Sequence, residues 1–90
     1  MFDWDEENRA HVKDHGFSTD DVEAAVTDLR RVSAPAYNTD TETRKAVIGK
    51  TDDDGAIIFV VTTRRGNKTR VVTARDAERH EQRRYRRRGK

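Results

Sequence analysis

The segment Ala56–Thr63, with the sequence AIIFVVTT, is the most apolar stretch of this 90-residue chain. Almost all of its residues are β-branched or aromatic, and none is charged. A short continuous run of this kind is typical of a central β-strand that is covered on both faces. The run lies between two turn signals, Thr51–Gly55 with its Asp-Gly pair and Arg64–Lys68 around Gly66. We therefore expect an inner strand of an antiparallel sheet.

Shorter segments with strand character lie on both sides of this run. Arg44–Gly49 precedes it and Thr69–Thr73 follows it, each with β-branched residues at its centre. Val32–Tyr37 is a candidate for a short edge strand. One long connection is expected, over Ser33–Asp40, and it contains the single proline of the chain, Pro35. The pattern predicts a meander of three or four antiparallel strands.

Helical signals flank the predicted sheet. Residues 6–14 form a short polar segment that ends before Gly16, and glycine readily adopts the left-handed backbone that ends many helices. A second helix is expected to begin after Ser18, because Ser18 is a favourable N-cap and Asp21 stands three residues later, as in a capping box. A third helix is expected over residues 76–87, where the arginine-rich sequence favours helix.

Two of these helices have an expected buried face. The second places four apolar residues at the spacing of one helical face: Val22, Ala25, Val26 and Leu29. Arg30 and Arg31 would lie at its C-terminal end. Three residues spaced by four share a face of the third helix: Ala77, Glu81 and Tyr85. His80 is expected to face solvent.

The expected architecture is one α+β domain over residues 1–90. It has two N-terminal helices, a three- to four-stranded antiparallel sheet and a C-terminal helix, with the helices packed on the sheet. Leu, Ile, Val and Phe total 16 of the 90 residues, which indicates a thin core and a domain that gains stability from a partner. Phe2 and Trp4 are expected in the core, and the basic end, residues 86–90, is expected to be a disordered tail.

Several classes of protein are disfavoured by composition. The chain has no cysteine, and its three histidines are too few and too poorly spaced to indicate a zinc site. We therefore expect no metal and no cofactor. No stretch approaches the roughly 20 apolar residues that span a bilayer, and the acidic N-terminus does not look like a signal peptide. The sequence predicts a cytoplasmic protein without a membrane partner.

Charge is distributed unevenly along the chain. Residues 1–54 contain 7 Lys/Arg and 14 Asp/Glu, a net of −7, whereas residues 55–90 contain 12 and 3, a net of +9. These sum to the formal net charge of +2. The basic third is suited to phosphate, and the acidic part would complement a basic partner.

A family resemblance runs along most of the chain. Four short motifs occur in order: Phe2–Glu6 with Asn8-Arg9 and His15–Phe17, Glu42–Arg44 with Ile48-Gly49, Arg70–Arg75, and Glu81 with Tyr85. Together they resemble the BrnT-type toxins of bacterial toxin–antitoxin pairs over about residues 2–86. The chain departs from that pattern at Asp14, where lysine is usual, and at His11, where asparagine is common.

The resemblance implies a RelE-like fold and an endoribonuclease that cleaves mRNA and so blocks translation. It also implies a cognate antitoxin of the ribbon-helix-helix type, which would neutralise the toxin in a hetero-oligomer. That complex would repress its own operon, so operator DNA would be contacted only through the antitoxin.

Arg75 and Arg70 are the first candidates for catalytic residues. A metal-free ribonuclease uses the 2′-OH of RNA as nucleophile and needs a base, donors to the charged phosphorane and an acid. Guanidinium groups bind phosphate oxygens bidentately and suit the second task. The odd spacing of the two arginines would place them on opposite faces of a regular strand. Arg75 lies at the predicted junction between strand and helix, where the alternation is expected to break, so Arg75 is the stronger candidate. The alternative is that either arginine pairs with a carboxylate such as Glu81 or Glu42.

Glu81 and His15 are candidates for the general base. Histidine titrates near neutral pH, whereas a glutamate among arginines stays ionised and is a weaker base. Tyr85 is a candidate acid, or a ring that stacks on a base. Each has a structural alternative: Glu81 as the ion-pair partner of Arg75, His15 as a helix-ending residue, and Tyr85 as packing between the last helix and the sheet.

Further basic residues are candidates for contacts to the RNA backbone. They lie in the turn before the third strand, in the first long strand and in the last helix: Arg64, Arg65, Lys68, Arg44 and Arg84. Two other functions stay open. In the first, the chain is a catalytically weak binding module that holds a partner protein or nucleic acid through its basic third. In the second, it is a DNA-binding protein that places its last helix in a groove.

Overall fold

The computed structural model describes residues 1–34, 44–51 and 55–88. In chain order its elements are α1 (Glu6–Asp14), α2 (Thr19–Val26), β1 (Val32–Ala34), β2 (Arg44–Lys50), β3 (Ile57–Arg65), β4 (Lys68–Asp76) and α3 (Arg79–Arg88). The strands form one antiparallel sheet in the order β1-β2-β3-β4, which confirms the expected α+β class. Within the described ranges, no helix is long and apolar enough to cross a membrane.

β3 is an inner strand, as the sequence predicts. It pairs with β2 on one side and with β4 on the other. Ile58 and Val60 pack in a core with residues of α1 and α2, whereas Phe59 and Val61 pack in a second core with Ala77 and Tyr85. Alternate side chains of β3 therefore point to opposite faces, and the sheet lies between α1 and α2 on one face and α3 on the other.

Both N-terminal helices begin with a capping box. In α1, the Asp5 carboxylate accepts a hydrogen bond from the backbone N–H of Asn8, and the Asn8 side chain accepts one from the backbone N–H of Asp5. Ser18 and Asp21 make the same reciprocal pair at α2, as predicted. Gly16, between the helices, has a φ of 90°, which glycine adopts without steric cost.

The prediction that Leu29 belongs to the buried face of α2 is wrong. The helix ends at Val26, and Leu29 is 96% exposed. The reason lies at Asp28, whose carboxylate accepts hydrogen bonds from the backbone N–H of Lys50 and from the hydroxyl of Tyr85. These contacts tie the chain to β2 and α3 and prevent another helical turn, so the two arginines after Leu29 lie beyond the helix.

α3 begins at Arg79, later than the predicted residue 76. Asp76 pairs with Ile58 at the end of β4, and the backbone N–H of Ala77 donates to the carbonyl of Ile57. Sheet pairing thus keeps these residues extended. The predicted buried face is confirmed by three residues that are each at most 8% exposed: Ala77, Glu81 and Tyr85.

Parts of four predicted segments lie outside the described residues. The edge strand is described only over Val32–Ala34, so the rest of it and of the Ser33–Asp40 connection stays a prediction. The middle of the Thr51–Gly55 turn is likewise outside. Of the expected tail, residues 86–88 continue α3 as helix, and 89–90 lie outside.

The N-terminus covers the outer edge of β4. The backbone N–H of Thr69 donates to the carbonyl of Met1, and the backbone N–H of Asp3 donates to the carbonyl of Thr69, both at 2.8 Å. Phe2 and Trp4 stack with ring centroids 6.3 Å apart and pack against the core beneath α1 and α2, as expected. This course brings the first acidic side chains of the chain beside β4.

Candidate active site

A β-bulge in β4 places Arg70 and Arg75 on the same face of the sheet. In the pairing with β3, Arg70 lies opposite Thr63 and Arg75 lies opposite Phe59, and Val72 is the extra residue between them. Thr63 and Phe59 are four residues apart on β3, so they share the face that carries α3. The alternation does break, but it does so within β4 at Val72 rather than at the junction between β4 and α3.

An open cavity of about 350 Å³ lies where β2 begins and β3 ends, and it extends around the β4 edge of the sheet to α1. We call it the arginine cavity; it is lined by Glu7, Asn8, His11, Arg44, Thr63, Arg65, Arg70, Val71 and Val72. Thr63 pairs with Arg44 on one side and with Arg70 on the other. Since neighbouring strands lie about 4.8 Å apart, the backbones of these two arginines are roughly 10 Å apart. Three sequence-predicted residues, Arg70, Arg44 and Arg65, thus meet at one opening.

Arg70 is held by a carboxylate from the N-terminal end of α1. Its Nη1 donates a hydrogen bond to Asp5 Oδ2 at 2.9 Å, and its side chain is 13% exposed. The hydrogen bond from the backbone N–H of Asn8, followed by that from Arg70, keeps the pKa of Asp5 below its usual value. The same contact with Asp5 raises the pKa of Arg70, so both groups are charged at neutral pH. Among the described residues, the carboxylate that binds Arg70 is Asp5 rather than Glu81. Glu42, also considered from sequence, lies outside the described residues.

Arg65 has a looser acidic neighbour. Its Nη1 lies 3.8 Å from Asp3 Oδ2, and its side chain is 61% exposed. Exposed ion pairs of this kind contribute little free energy because water screens them. Arg65 can therefore leave Asp3 for a phosphate at small cost.

Asn8 fixes the position of α1 against β4. It is 4% exposed, and its side-chain amide donates to the carbonyl of Asp3 at 3.1 Å and to that of Val71 at 3.5 Å. One turn further along α1, His11 Nε2 lies 3.0 Å from Thr73 Oγ1. The contact of Asn8 with Val71 is buried, whereas that of His11 with Thr73 is exposed. α1 therefore forms a fixed wall of the arginine cavity, with an imidazole at its rim.

Arg75 and Glu81 form a separate, tightly bound pair. The two guanidinium nitrogens of Arg75 donate to the two carboxylate oxygens of Glu81 at 2.8 and 2.9 Å. The guanidinium also lies over the ring of Phe59, 4.1 Å from its centroid. Glu81 accepts a further hydrogen bond from the backbone N–H of Glu78 at the start of α3. These contacts support the structural alternative for Glu81, in which it holds Arg75 and docks α3.

The titration of Glu81 points the same way. Burial would raise its pKa, but the hydrogen bonds from Arg75 and from the backbone N–H of Glu78 outweigh that effect, and the pKa lies below its usual value. A carboxylate with a lowered pKa is a weaker proton acceptor. Glu81 is therefore poorly suited to act as the general base.

Tyr85 is also engaged in a structural contact. Its hydroxyl donates to Asp28 Oδ2 at 2.5 Å, and the residue is 8% exposed. Burial, then the hydrogen bond to Asp28, raises the pKa of Tyr85 to about 12. Such a phenol is a weak acid at neutral pH, so the packing alternative fits Tyr85 better than the catalytic one.

The remaining predicted residues lie in different places. Lys68 pairs with Arg65 across the β3–β4 turn, whereas Arg64 has the opposite parity on β3 and so belongs to the other face of the sheet. Arg84 donates to the carbonyl of Ser33 and joins α3 to β1. His15 is the C-cap of α1, in line with its structural alternative.

One group of described side chains has the donor atoms of a cation site. Oxygen or nitrogen atoms of Glu78, His80 and Glu81 lie within 4.8 Å of one another. Both carboxylate oxygens of Glu81 are already bound by Arg75, so the group does not offer a free set of ligands. His80 itself faces solvent, as predicted, with a side chain that is 63% exposed.

Sequence reasoning missed three residues of the site. Asp3 and Asp5 were considered only as members of the Phe2–Glu6 motif and of the acidic N-terminus, because nothing in a linear sequence shows that the N-terminus runs beside β4. His11 was noted only as a departure from the family pattern. The one available signal was helical spacing, since Asn8 and His11 are three residues apart and therefore share a face of α1.

The fold and site define a small α+β protein with an arginine-lined cavity between its sheet and its first helix. Residues 4–81, most of the chain, match the family model described as “Ribonuclease toxin, BrnT, of type II toxin-antitoxin system”. The chain therefore belongs to the BrnT toxin family. Membership implies a ribonuclease toxin with an RNA substrate and an antitoxin partner. No curated protein gives a significant match to the chain.

Proposed function

We propose that the protein is a metal-independent endoribonuclease that cleaves mRNA at the arginine cavity by attack of the RNA's own 2′-OH. The observation that carries the proposal is the convergence of Arg44, Arg65 and Arg70 from three adjacent strands on one open cavity. Three guanidinium groups in such a row complement a phosphodiester and its pentacoordinate transition state. They supply there the charge stabilisation that a metal ion supplies in other nucleases.

The roles of the three arginines follow from their surroundings. Arg70 is much less exposed than Arg65 and is oriented by Asp5, so it is the donor fixed in advance at the scissile phosphate. Arg65, with its exposed side chain, grips an adjacent phosphate and positions the strand. Arg44 lies opposite Arg70 across Thr63 and completes the row.

Arg75 lies on the same face as Arg70. Their partners on β3, Phe59 and Thr63, are four residues apart, which is about 13 Å along the strand. In this proposal Arg75, Glu81 and Tyr85 dock α3 on the sheet. Arg75 is then a contact to a more distant part of the RNA strand rather than the centre of the site. Arg64, on the opposite face, and Arg84, bound to β1, lie outside the proposed site.

The proposed partner is a ribbon-helix-helix antitoxin that forms a hetero-oligomer with this chain and carries the contacts to operator DNA. An RNA substrate and the absence of cysteine from the sequence favour action in the cytoplasm. Co-purification of the chain with the product of an adjacent short reading frame, and loss of ribonuclease activity in that complex, would support this part of the proposal.

The test of the ribonuclease is cleavage of an end-labelled mRNA fragment by the purified chain in the presence of EDTA. We expect discrete products with 2′,3′-cyclic phosphate ends. Arg70→Ala should lower the rate by about 10²–10³-fold, the usual effect of removing one fixed donor to the transition state. Arg79→Ala, an exposed arginine of α3, is the matched control and should keep the rate.

Two results would argue against this function. Cleavage that requires an added divalent ion would exclude the metal-independent route. Salt-sensitive RNA binding without cleavage, by a protein whose circular dichroism and urea midpoint show it to be folded, would instead favour the binding-module alternative.

A further inference from the structure

We infer that His11 is a catalytic residue of this ribonuclease and takes the proton from the attacking 2′-OH. The inference rests on the proposed function and names the proton acceptor that the sequence did not identify. Its basis is the position of His11 in the wall of the arginine cavity, together with the hydrogen bond that orients the imidazole.

The position of His11 is set by two independent contacts of α1. Asn8, one turn earlier, anchors the helix to the backbone of β4 through Val71. His11 Nε2 lies 3.0 Å from the hydroxyl oxygen of Thr73 on the same strand. The contact at Nε2 restrains the orientation of the imidazole ring. When Nε2–H donates to the threonine oxygen, Nδ1 carries the lone pair that can accept a proton.

The charged groups around His11 suit a proton acceptor beside a phosphate. Glu7 and His15 lie on its own helix, the rings of His11 and His15 having centroids 5.1 Å apart. Arg44, Arg65 and Arg70 face it from β2, β3 and β4 across the cavity. The arginines attract the phosphodiester toward the imidazole. When His11 becomes charged, the developing dianionic phosphorane between it and the arginines compensates its charge.

The reaction step balances without a co-reactant. The imidazole removes the 2′-OH proton while the 2′-oxygen bonds to phosphorus and the bond between phosphorus and the 5′-oxygen breaks. The bonding electron pair leaves with the 5′-oxygen, which takes a proton from solvent water at the open cavity. The products are a 2′,3′-cyclic phosphate and a 5′-hydroxyl end, and His11 returns its proton to solvent.

The two proton acceptors considered from sequence are less well placed. Both oxygens of Glu81 are bound by Arg75 in the separate pair described above. His15 caps the end of α1 and does not belong to the lining of the arginine cavity. His11 is the one imidazole among the described residues that line the cavity, and a neutral imidazole has one ring nitrogen that can accept a proton.

The experiment compares the wild-type protein with three glutamine variants, His11→Gln, His15→Gln and His80→Gln. Cleavage of a labelled mRNA fragment and RNA affinity are measured from pH 5 to 9, and folding is followed by urea unfolding. We expect His11→Gln to lower the maximal rate by about 10²–10⁴-fold with little change in affinity, and to remove the acidic limb of the pH–rate profile. His80 is exposed on α3, so His80→Gln is the control and should match the wild type.

The outcomes separate this inference from the proposed function. If folded His11→Gln cleaves within threefold of wild type while Arg70→Ala is inactive, the inference is wrong and the ribonuclease proposal stands. Loss of cleavage in His15→Gln but not in His11→Gln also overturns the inference. If the wild-type protein itself yields no cyclic phosphate ends, the proposed function fails, and the inference fails with it.

Discussion

Asp5 joins the start of α1 to the arginine cavity, because one of its carboxylate oxygens caps the helix and the other binds Arg70. Oδ1 accepts a hydrogen bond from the backbone N–H of Asn8 at 3.0 Å, and Oδ2 accepts one from Arg70 Nη1 at 2.9 Å. A phosphate can bind the N–H groups of Arg70 that Asp5 does not occupy, so both contacts of Asp5 stay in place. Substrate can therefore enter without unfolding the first turn of α1.

The first prediction concerns the pKa of Asp5. The hydrogen bond from the backbone N–H of Asn8, and then the contact with Arg70, lower this pKa. Arg70→Gln removes the second cause and leaves the first. We expect the pKa of Asp5, measured by NMR titration of its carboxyl carbon, to rise in Arg70→Gln but to stay below that of an unfolded peptide.

The control is Arg64→Gln, since Arg64 has the opposite parity on β3. It should leave the pKa of Asp5 unchanged. An unchanged value in Arg70→Gln as well would show that Arg70 does not bind Asp5 in solution. In that case the proposed orientation of Arg70 would have no support.

The second prediction separates two adjacent arginines by the salt dependence of RNA binding. For single-stranded RNA, log Kobs falls with log salt by about 0.7 per phosphate contact. Arg65→Ala should lower that slope by about 0.7, because Arg65 lines the arginine cavity. Arg64→Ala should leave the slope unchanged because Arg64 belongs to the other face of the sheet. Equal effects of the two variants would place RNA around the turn rather than in the cavity.

Most helices and strands could be predicted from the sequence because local signals determine them. The β-branched run of β3 and the Ser18–Asp21 capping box each act within a few residues and were predicted correctly. Leu29 was mispredicted for the converse reason. Its helical spacing is a local signal, but Asp28 binds Lys50 and Tyr85, which are far away in sequence.

The candidate site could be predicted from the sequence only in part. Arginine content indicated Arg44, Arg65 and Arg70 as candidate phosphate ligands, yet nothing in the sequence placed a bulge at Val72. That bulge decides which side chains share a face with Arg70. The separation of Arg70 from the Arg75–Glu81 pair depends on sheet register, which is set by long-range pairing rather than by motif spacing.

The third prediction concerns the pH dependence contributed by Glu81. Its pKa is lower in the folded protein than in the unfolded chain, where a glutamate titrates near about 4.3. The unfolded state therefore binds more protons between these two values, so this contribution to stability is complete above about pH 4.3 and is lost as pH falls through the folded pKa. Glu81→Gln should flatten the fall of unfolding free energy below about pH 4.3.

At neutral pH the same variant should be destabilised by about 2 kcal/mol, since it loses charge-assisted hydrogen bonds at a buried position. Urea unfolding at several pH values between 3 and 7 measures both effects. The control is Glu78→Gln, because the Glu78 side chain is 64% exposed. A pH profile parallel to that of the wild type would contradict the assigned role of Glu81 in docking α3.

The fourth prediction tests the packing of α2 on β2 at Gly49. A Cβ atom at this position would lie 2.0 Å from the carbonyl oxygen of Ala25 and 2.7 Å from its carbonyl carbon. Backbone atoms cannot turn aside as a flexible side chain can, so Gly49→Ala must displace α2 from the sheet. Overpacking of this kind costs about 1–3 kcal/mol, which urea unfolding would detect as a lower midpoint.

Lys45→Ala, an exposed change in the same strand, controls for strand propensity. Because the arginine cavity is walled by α1 rather than α2, folded Gly49→Ala should still bind RNA, and a loss of RNA binding larger than its loss of stability would show that α2 does contribute to the site.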